Sequence, residues 1–363
     1  GHHRGALARG QPLEGMIETV DLGGGYRISR IIKGGWQLSE GHSESVSADP
    51  VGDMRAFVRA GIHTFDCADI YTGVEELIGT FLRANRALDP PLEVKVHTKL
   101  VPDFDILAGL RRTDVERIID RSLQRLGQDR LDMVQFHWWD TAVPGYVETA
   151  GWLRDLQLKG KIDRLSLTNF NTENTREILA AGIGLTSTQV QYSLLDTRPA
   201  RSLANLCDEH DMHLLCYGAL AGGFLSERWR GAADPQLEGA ALENRSLTKY
   251  RLIIEECGGW DVFQKLLDTL ARVGRRHGVG IAAVASRWVL EQPRVAAVII
   301  GARNAKHLDH YGELFRFRLD DRDLREIGAF RSLMTVPPGD VFDLERDRTG
   351  RHGRIMKFNL NAE

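Results

Sequence analysis

The chain has 363 residues, a net charge of −3, and 42% hydrophobic against 27% charged residues. That length allows one large domain or two ordinary ones around a sizeable core. The near-neutral balance lacks the clustered excess of Lys and Arg that a nucleic-acid partner requires, and no apolar run approaches the roughly 20 residues of a membrane span.

Four cysteines, Cys67, Cys207, Cys216 and Cys257, show no paired spacing, which points to a reducing compartment, the cytoplasm. Residues 1–15 carry basic residues without an apolar core, so they do not read as a secretory signal. They are expected to be a disordered arm, a clipped leader or a tag remnant. The first element is a hairpin: MIETVDL and YRISRII flank Gly23, Gly24 and Gly25, and no helix follows the glycines as a dinucleotide fingerprint would need.

From there strand-like and helix-like runs alternate. IIKGGW is followed by a helix over 50–60, and TFD by one over 74–83. VKVHTKL precedes a helix opened by Thr113 and Glu116 in capping-box positions, with an apolar stripe at Val115, Ile118, Ile119 and Leu126. RLDMVQFH leads to a helix over 146–159, KIDRLSLTNF to one ending at Gly182, and TSTQVQYS to one over 200–210. MHLLCYG is followed by about forty residues of weak pattern, then by a helix carrying Phe263, Leu266, Leu267 and Leu270 and another stopping at Pro293. RVAAVIIGA and NAKHLDHYGEL make the last pair, and DDRDLREIGAF one more helix. Eight βα units with mostly apolar strands predict an α/β fold, a (β/α)8 TIM barrel with an N-terminal hairpin and an extra C-terminal helix. The open doubly wound sheet is the alternative. The barrel is assigned to 16–334. The extension at 335–363, rich in Arg and Asp, reads as a solvated tail over the barrel surface, with a role in closing the site as the other reading.

Strand ends of a parallel barrel share one face, which carries the chemistry. Here they bring Asp66, Lys99, His137, Thr168, Asn169, Gln189 and Tyr217, with Tyr71 in the loop after Asp66. Each has a structural alternative: a buried ion pair for Asp66 and Lys99, a packed core ring for His137, a loop-capping hydroxyl for Tyr71. Together on one face they fit proton transfer to an oxygen. A lysine cation beside a tyrosine favours the phenolate, and a neutral histidine can donate a second hydrogen bond. Hydride must come from a cofactor. No metal is expected: Lys99 would place a positive charge among the ligands, and His210 and His213, near Asp208 and Asp211, fall on the opposite face.

FDCADIY, HTKL, QFHWWD, LSLTNF, TQVQYSLLD, LLCYGAL and VIIGARN together make the chain resemble the aldo-keto reductase family over residues 16–330. The resemblance implies a nicotinamide-dependent oxidoreductase acting on a small aldehyde, ketone or sugar, or on the corresponding alcohol. Tyr71 would be the general acid/base, Lys99 and Asp66 would tune it, and His137 would orient the carbonyl. Thr168, Asn169 and Gln189 would hold the carboxamide, Tyr217 would stack on the ring, and Gly218 and Leu220 would follow the pyrophosphate. Gly35, Trp36, Gly301, Arg303 and His307 complete the cofactor set, with Arg303 favouring NADP over NAD. Trp36, Trp138 and Trp229 would line the substrate pocket. The 219–260 segment is expected to fold over the cofactor. A non-catalytic nicotinamide-binding sensor on the same fold, and more distantly a metal-dependent barrel hydrolase, are the other classes.

Overall fold

In the computed structural model the described residues are 16–35, 48–236, 245–301, 305–306 and 308–357, without the side chains of 245 and 246. A short antiparallel hairpin comes first, β1 (Thr19–Asp21) against β2 (Arg27–Ser29). Its turn glycines all have positive φ, +113°, +62° and +81°, a conformation that costs a side-chain-bearing residue strain. The barrel units follow: β3 (Ile31–Gly34) and α1 (Pro50–Arg59), β4 (Thr64–Asp66) and α2 (Val74–Arg86), β5 (Lys95–Leu100) and α3 (Arg112–Leu126), β6 (Leu131–Phe136) and α4 (Tyr146–Leu158), β7 (Ile162–Thr168) and α5 (Thr172–Ala180), β8 (Ser187–Gln191) and α6 (Leu203–Glu209). Then come β9 (His213–Tyr217), α7 (Arg245–Glu256), α8 (Trp260–His277), α9 (Ile281–Leu290), β10 (Val295–Ile300), α10 (Leu308–Gly312), α11 (Asp321–Arg331) and α12 (Asp343–Arg346).

β3 to β10 close into a barrel of parallel neighbours, with β10 pairing β3. The open doubly wound alternative is thereby excluded. The strands are buried throughout their middles because helices cover the outside while side chains fill the inside. The hairpin seals the N-terminal end: Tyr26, Leu22 and Ile28 pack with Ile32, Met133, Leu215 and Ala297 inside the barrel. Tyr26 stacks on His97, ring centroids 6.0 Å apart. Only the opposite end, where the strands terminate in polar residues, opens to the loops.

Three local features differ from the sequence expectation. α3 begins at Arg112, one residue before Thr113, because the Asp114 carboxylate accepts the backbone N–H of Arg111 at 2.9 Å; the Thr113/Glu116 box does not form. The weakly patterned stretch before α8 contains α7, whose apolar side buries Leu252, Ile253 and Ile254. The C-terminal extension is no loose tail. Val341, Phe342, Glu345 and His352 are buried, 3%, 4%, 1% and 3% exposed. Residues 1–15 and 358–363 lie outside the described residues.

Candidate active site

Asp66 ends β4 and Lys99 lies one residue from the end of β5, both aimed into the barrel by the period-two alternation of their strands. The Lys99 ammonium donates to Asp66 Oδ2 at 2.6 Å, to the Cys67 carbonyl at 3.1 Å and to the Tyr71 phenol oxygen at 3.3 Å. The side chains of Lys99 and Asp66 are 5% and 6% exposed, so the pair is held in a low-dielectric setting. The other carboxylate oxygen, Oδ1, accepts from Gln135 Nε2 at 2.9 Å and Gln189 Nε2 at 2.8 Å. Burial alone pulls Lys99 down, but Asp66 and Tyr71 together outweigh it and hold the ammonium above its usual range. Burial pushes Tyr71 up despite the Lys99 charge beside it. The lysine charge, expected from the sequence to lower the phenol, is outweighed by desolvation of the phenolate. In the bond between them Lys99 is the donor, so the phenol proton is directed to another acceptor.

His137 follows β6 and is 3% exposed. Its Nδ1 lies 3.1 Å from the Thr168 carbonyl oxygen. A carbonyl only accepts, so this bond places the proton on Nδ1 and presents Nε2 as a lone pair. Nε2 is buried and has no hydrogen-bond partner. Burial, then the charges of Arg346 and Lys99, lower the imidazole to about 3, the Thr168 bond notwithstanding. The ring is therefore neutral near pH 7, as expected, but its unpartnered nitrogen Nε2 is an acceptor and not the hydrogen-bond donor expected from the sequence.

Beside these groups, Asn169, Gln191, Arg198, Tyr217, Val341, Phe342 and Glu345 pack around a narrow cleft. Tyr217 donates its hydroxyl to Asn169 Oδ1 at 2.8 Å. Gln191 Oε1 is buried there with no hydrogen-bond partner, its Nε2 being donated to Asp196 at 2.7 Å. An aromatic face with an unsatisfied amide acceptor beside it is the pair of groups that a planar, carboxamide-bearing ring such as nicotinamide would use. Gln189, assigned that contact from the sequence, has its amide N–H committed to Asp66 and to Gln135 Oε1. Gln191, two residues on and therefore on the same face of β8, is the glutamine that lines the cleft. Gly218 has φ +71° and Tyr250 of α7 packs directly against it, while Leu220 is half-buried. α7 thus lies over the end of β9.

The C-terminal extension crosses the same mouth. Arg198 is clamped between Asp196 and Glu345, which takes its two terminal nitrogens at 3.0 and 2.8 Å. Thr172 N–H donates to Asp340, Asn171 to Asp343, and Arg201 to the carbonyls of Pro337 and Gly339. The Phe342 ring stands edge-on to His137, centroids 5.5 Å apart, and Trp139 stands edge-on at 4.4 Å.

The sequence profile of the aldo/keto reductase family matches residues 30–331. The chain belongs to that family. It is 27% identical over 328 residues to aldo-keto reductase YhdN of Bacillus subtilis, covering 88% of this chain and 95% of the relative. The glycerol dehydrogenase AKR11B4 of Gluconobacter oxydans superposes with a TM-score of 0.71 at 22% identity, over 89% of this chain and 97% of that one. An aldo/keto reductase from Klebsiella pneumoniae, solved with NADP and acetate, gives 0.63 at 22% identity, with the same coverage of 89% and 97%. At such identities the two structures speak for the fold alone.

Within this aldo/keto reductase, several expected residues fall elsewhere. Trp138 is fully buried, its indole N–H donating to the Val143 carbonyl at 3.0 Å, and it packs with Phe136 and Tyr146. It belongs to the core; Trp139, the next residue, is the tryptophan that meets His137. Trp229 sits in an aromatic cluster with Phe224 and Trp260, centroids 4.8 and 5.8 Å away, not against the catalytic groups. Gly35 is required by packing: a side-chain carbon there would stand 2.6 Å from the Asp66 carbonyl oxygen. Gly301 is exposed at the end of β10, and Trp36, Arg303 and His307 lie outside the described residues. Gln135 and Gln191 escaped notice in the sequence, although each lies two residues from an assigned site residue on the same strand face. The only metal-like spacing among the described residues is His277, Asp320 and Asp323. There Asp323 already holds Arg276 and His277, each at 2.6 Å, and a guanidinium at a ligand oxygen opposes a cation.

Proposed function

We propose that the protein is an NADP(H)-dependent oxidoreductase that interconverts a small carbonyl compound and its alcohol, with Tyr71 as general acid/base. The observation that carries this is the Asp66–Lys99–Tyr71 relay, with Lys99 Nζ at 2.6 Å from the carboxylate and 3.3 Å from the phenol oxygen. When bound, the dinucleotide supplies or accepts the hydride. In reduction, Tyr71 gives its proton to the carbonyl oxygen as negative charge develops there. Lys99, kept cationic by Asp66, stabilises the phenolate left behind. In the reverse direction the phenolate would accept the proton of the alcohol hydroxyl, and the neutral Nε2 of His137, which lacks a partner, would be a second acceptor. Tyr217, Asn169 and Gln191 would hold the nicotinamide, with Thr168 fixing His137 through its carbonyl.

The preference for NADP over NAD rests on the sequence alone, in which Arg303 and Lys306 follow the last barrel strand and add positive charge that an extra phosphate would favour. Four buried, unpaired cysteines fit a reducing compartment, the cytoplasm. A Tyr71→Phe variant tests the reading. It is expected to bind NADPH more tightly than NADH by fluorescence titration while losing turnover of an aldehyde and sugar panel at least about a thousandfold. Undiminished turnover in the variant would refute the acid/base role. Absence of turnover in the unmodified protein, with binding intact, would instead support the sensor reading.

A further inference from the structure

Tyr71 sits in a loop, and its own backbone bonds run within that loop: the N–H donates to the Ala68 carbonyl at 3.2 Å and the carbonyl accepts from the Val74 N–H at 3.1 Å. Such bonds give the loop a shape without fixing where it stands. The first half is registered on β5, where the Asp69 N–H donates to the Lys99 carbonyl at 3.3 Å and Asp69 Oδ1 accepts from the Val101 N–H at 3.2 Å. Arg125, near the end of α3, joins that half to the other. Its Nη1 donates both to the Asp69 carbonyl and to Glu75 Oε1, each at 3.1 Å. One nitrogen thus spans Tyr71, from two residues before it to four after.

Glu75, in the first turn of α2, has a side chain that is 0% exposed. Its other oxygen, Oε2, accepts from Thr98 Oγ1 at 2.8 Å. Thr98 precedes Lys99, so strand alternation turns its side chain outward while Lys99 points into the barrel. β5 therefore grips the Tyr71 loop on both faces, through Lys99 inside and through Thr98 and Glu75 outside. Arg125 is itself seated firmly. Arg86 of α2 donates to the Gly127 carbonyl at 3.0 Å, and a side-chain carbon on Gly79 would stand 2.2 Å from the Arg125 carbonyl oxygen. A buried ion pair is a weak source of stability, because an apolar pair of similar volume often does as well. What this one adds is direction, in bonds that end on atoms either side of the phenol.

We propose that Arg125 is a positioning residue for the reaction: acting through Glu75 and the Asp69 carbonyl, it holds the Tyr71 oxygen where Lys99 and a carbonyl oxygen can both meet it. The inference rests on the acid/base reading of Tyr71 above and adds the groups that aim it. A displacement of about 1 Å at a reacting group can cost about a hundredfold in rate, so a contact this far from the substrate still bears on turnover.

The test uses the double variant Arg125→Met/Glu75→Gln, which leaves no buried carboxylate unpaired, on whichever aldehyde or sugar of the panel the unmodified protein turns over fastest. Its kcat is expected to fall about 10- to 100-fold, with KM and the affinity for NADPH within about twofold of the original. Arg125→Lys, which keeps a donor for the two oxygens, should recover part of kcat. In a Tyr71→Phe background the same two substitutions should cost less than about twofold, because the phenol they aim is already gone. A further 10- to 100-fold loss in that background, or an unchanged kcat in the double variant, would overturn the proposal. Hydrogen exchange reads the positioning without turnover: amides of 68–75 should exchange faster in the double variant, and those of β6 to β8 at their original rates. That exchange pattern in a protein whose Tyr71→Phe variant turns over normally would sink the acid/base reading and keep the clamp. Loss of turnover in Tyr71→Phe, with loop exchange unaltered in the double variant, would do the reverse.

Discussion

A carboxylate inside a protein is costly unless both oxygens are engaged, and both oxygens of Asp66 are. Its function follows from that saturation: it never needs to touch a substrate, because its charge is delivered to Lys99. Removing the charge should expose how much Lys99 depends on it. With Asp66→Asn, burial is left opposed mainly by Tyr71, so the lysine titrates lower than it does now. The expected result is a kcat that falls with rising pH above neutrality, where the unmodified enzyme holds level. A pH profile that superimposes on the original would show that Asp66 does not set the Lys99 charge. His137 adds nothing to such a profile above about pH 5, since it is already neutral with its pKa lowered to about 3. At this scale the sequence was informative: the acid, the lysine and the histidine could be placed at one face because parallel barrel strands end there, and the phenol because its loop follows one of them. The direction of the His137 hydrogen bond was not readable, because it depends on the carbonyl of Thr168, contributed by a neighbouring strand.

Among the elements, the barrel strands and most helices were legible because they bury apolar side chains at a regular period. The C-terminal extension was not, and its contacts explain why. It is held by Arg198 with Glu345, Asn171 with Asp343 and Thr172 with Asp340, so a hydropathy pattern sees only a charged tail. α7 was missed for a related reason: its apolar residues are interspersed with Thr248, Lys249 and Arg251, the last paired with Asp234 and Glu255 at 2.7 Å. Glu345 is the strongest hold on the extension. Burial pushes its carboxyl up, but Arg198 outweighs burial and keeps it at about 2. Glu345→Ala leaves Arg198 buried with Asp196 as its remaining carboxylate, and should cost about 3 kcal/mol in urea unfolding. It should also make the 337–355 stretch more susceptible to limited proteolysis. A stability within a few tenths of a kcal/mol of the original would show that the extension is held by something other than this ion pair.

The molecule as a whole hides two histidines that do not titrate with the solvent. His97, inside the barrel beneath Asp66, is fully buried with neither ring nitrogen hydrogen-bonded, and burial lowers it to about 4. His137 is lowered to about 3. In the unfolded chain both return to a value near 6.5. Below that pH the unfolded state binds protons that the folded state refuses, so stability is fully present above about pH 6.5. It declines as the pH falls toward 4 for His97 and toward 3 for His137, by about 1.4 kcal/mol per pH unit for each. Urea unfolding should therefore give a free energy roughly 3 to 4 kcal/mol lower at pH 5 than at pH 7. A curve that stays flat over that interval would place one or both imidazoles in contact with water.

The Asp66 network also bears on how such a protein would change under mutation over generations. Through Lys99, Gln135 and Gln189 the one carboxylate joins β4 to β5, β6 and β8, so its loss would weaken the barrel whatever the barrel is used for. A descendant that abandoned catalysis would still be selected to keep Asp66 and its partners. Tyr71, half-buried in a loop and tied to the network through Lys99, is the member such a lineage would shed first. Its presence here is the part of the quartet that stability alone does not account for.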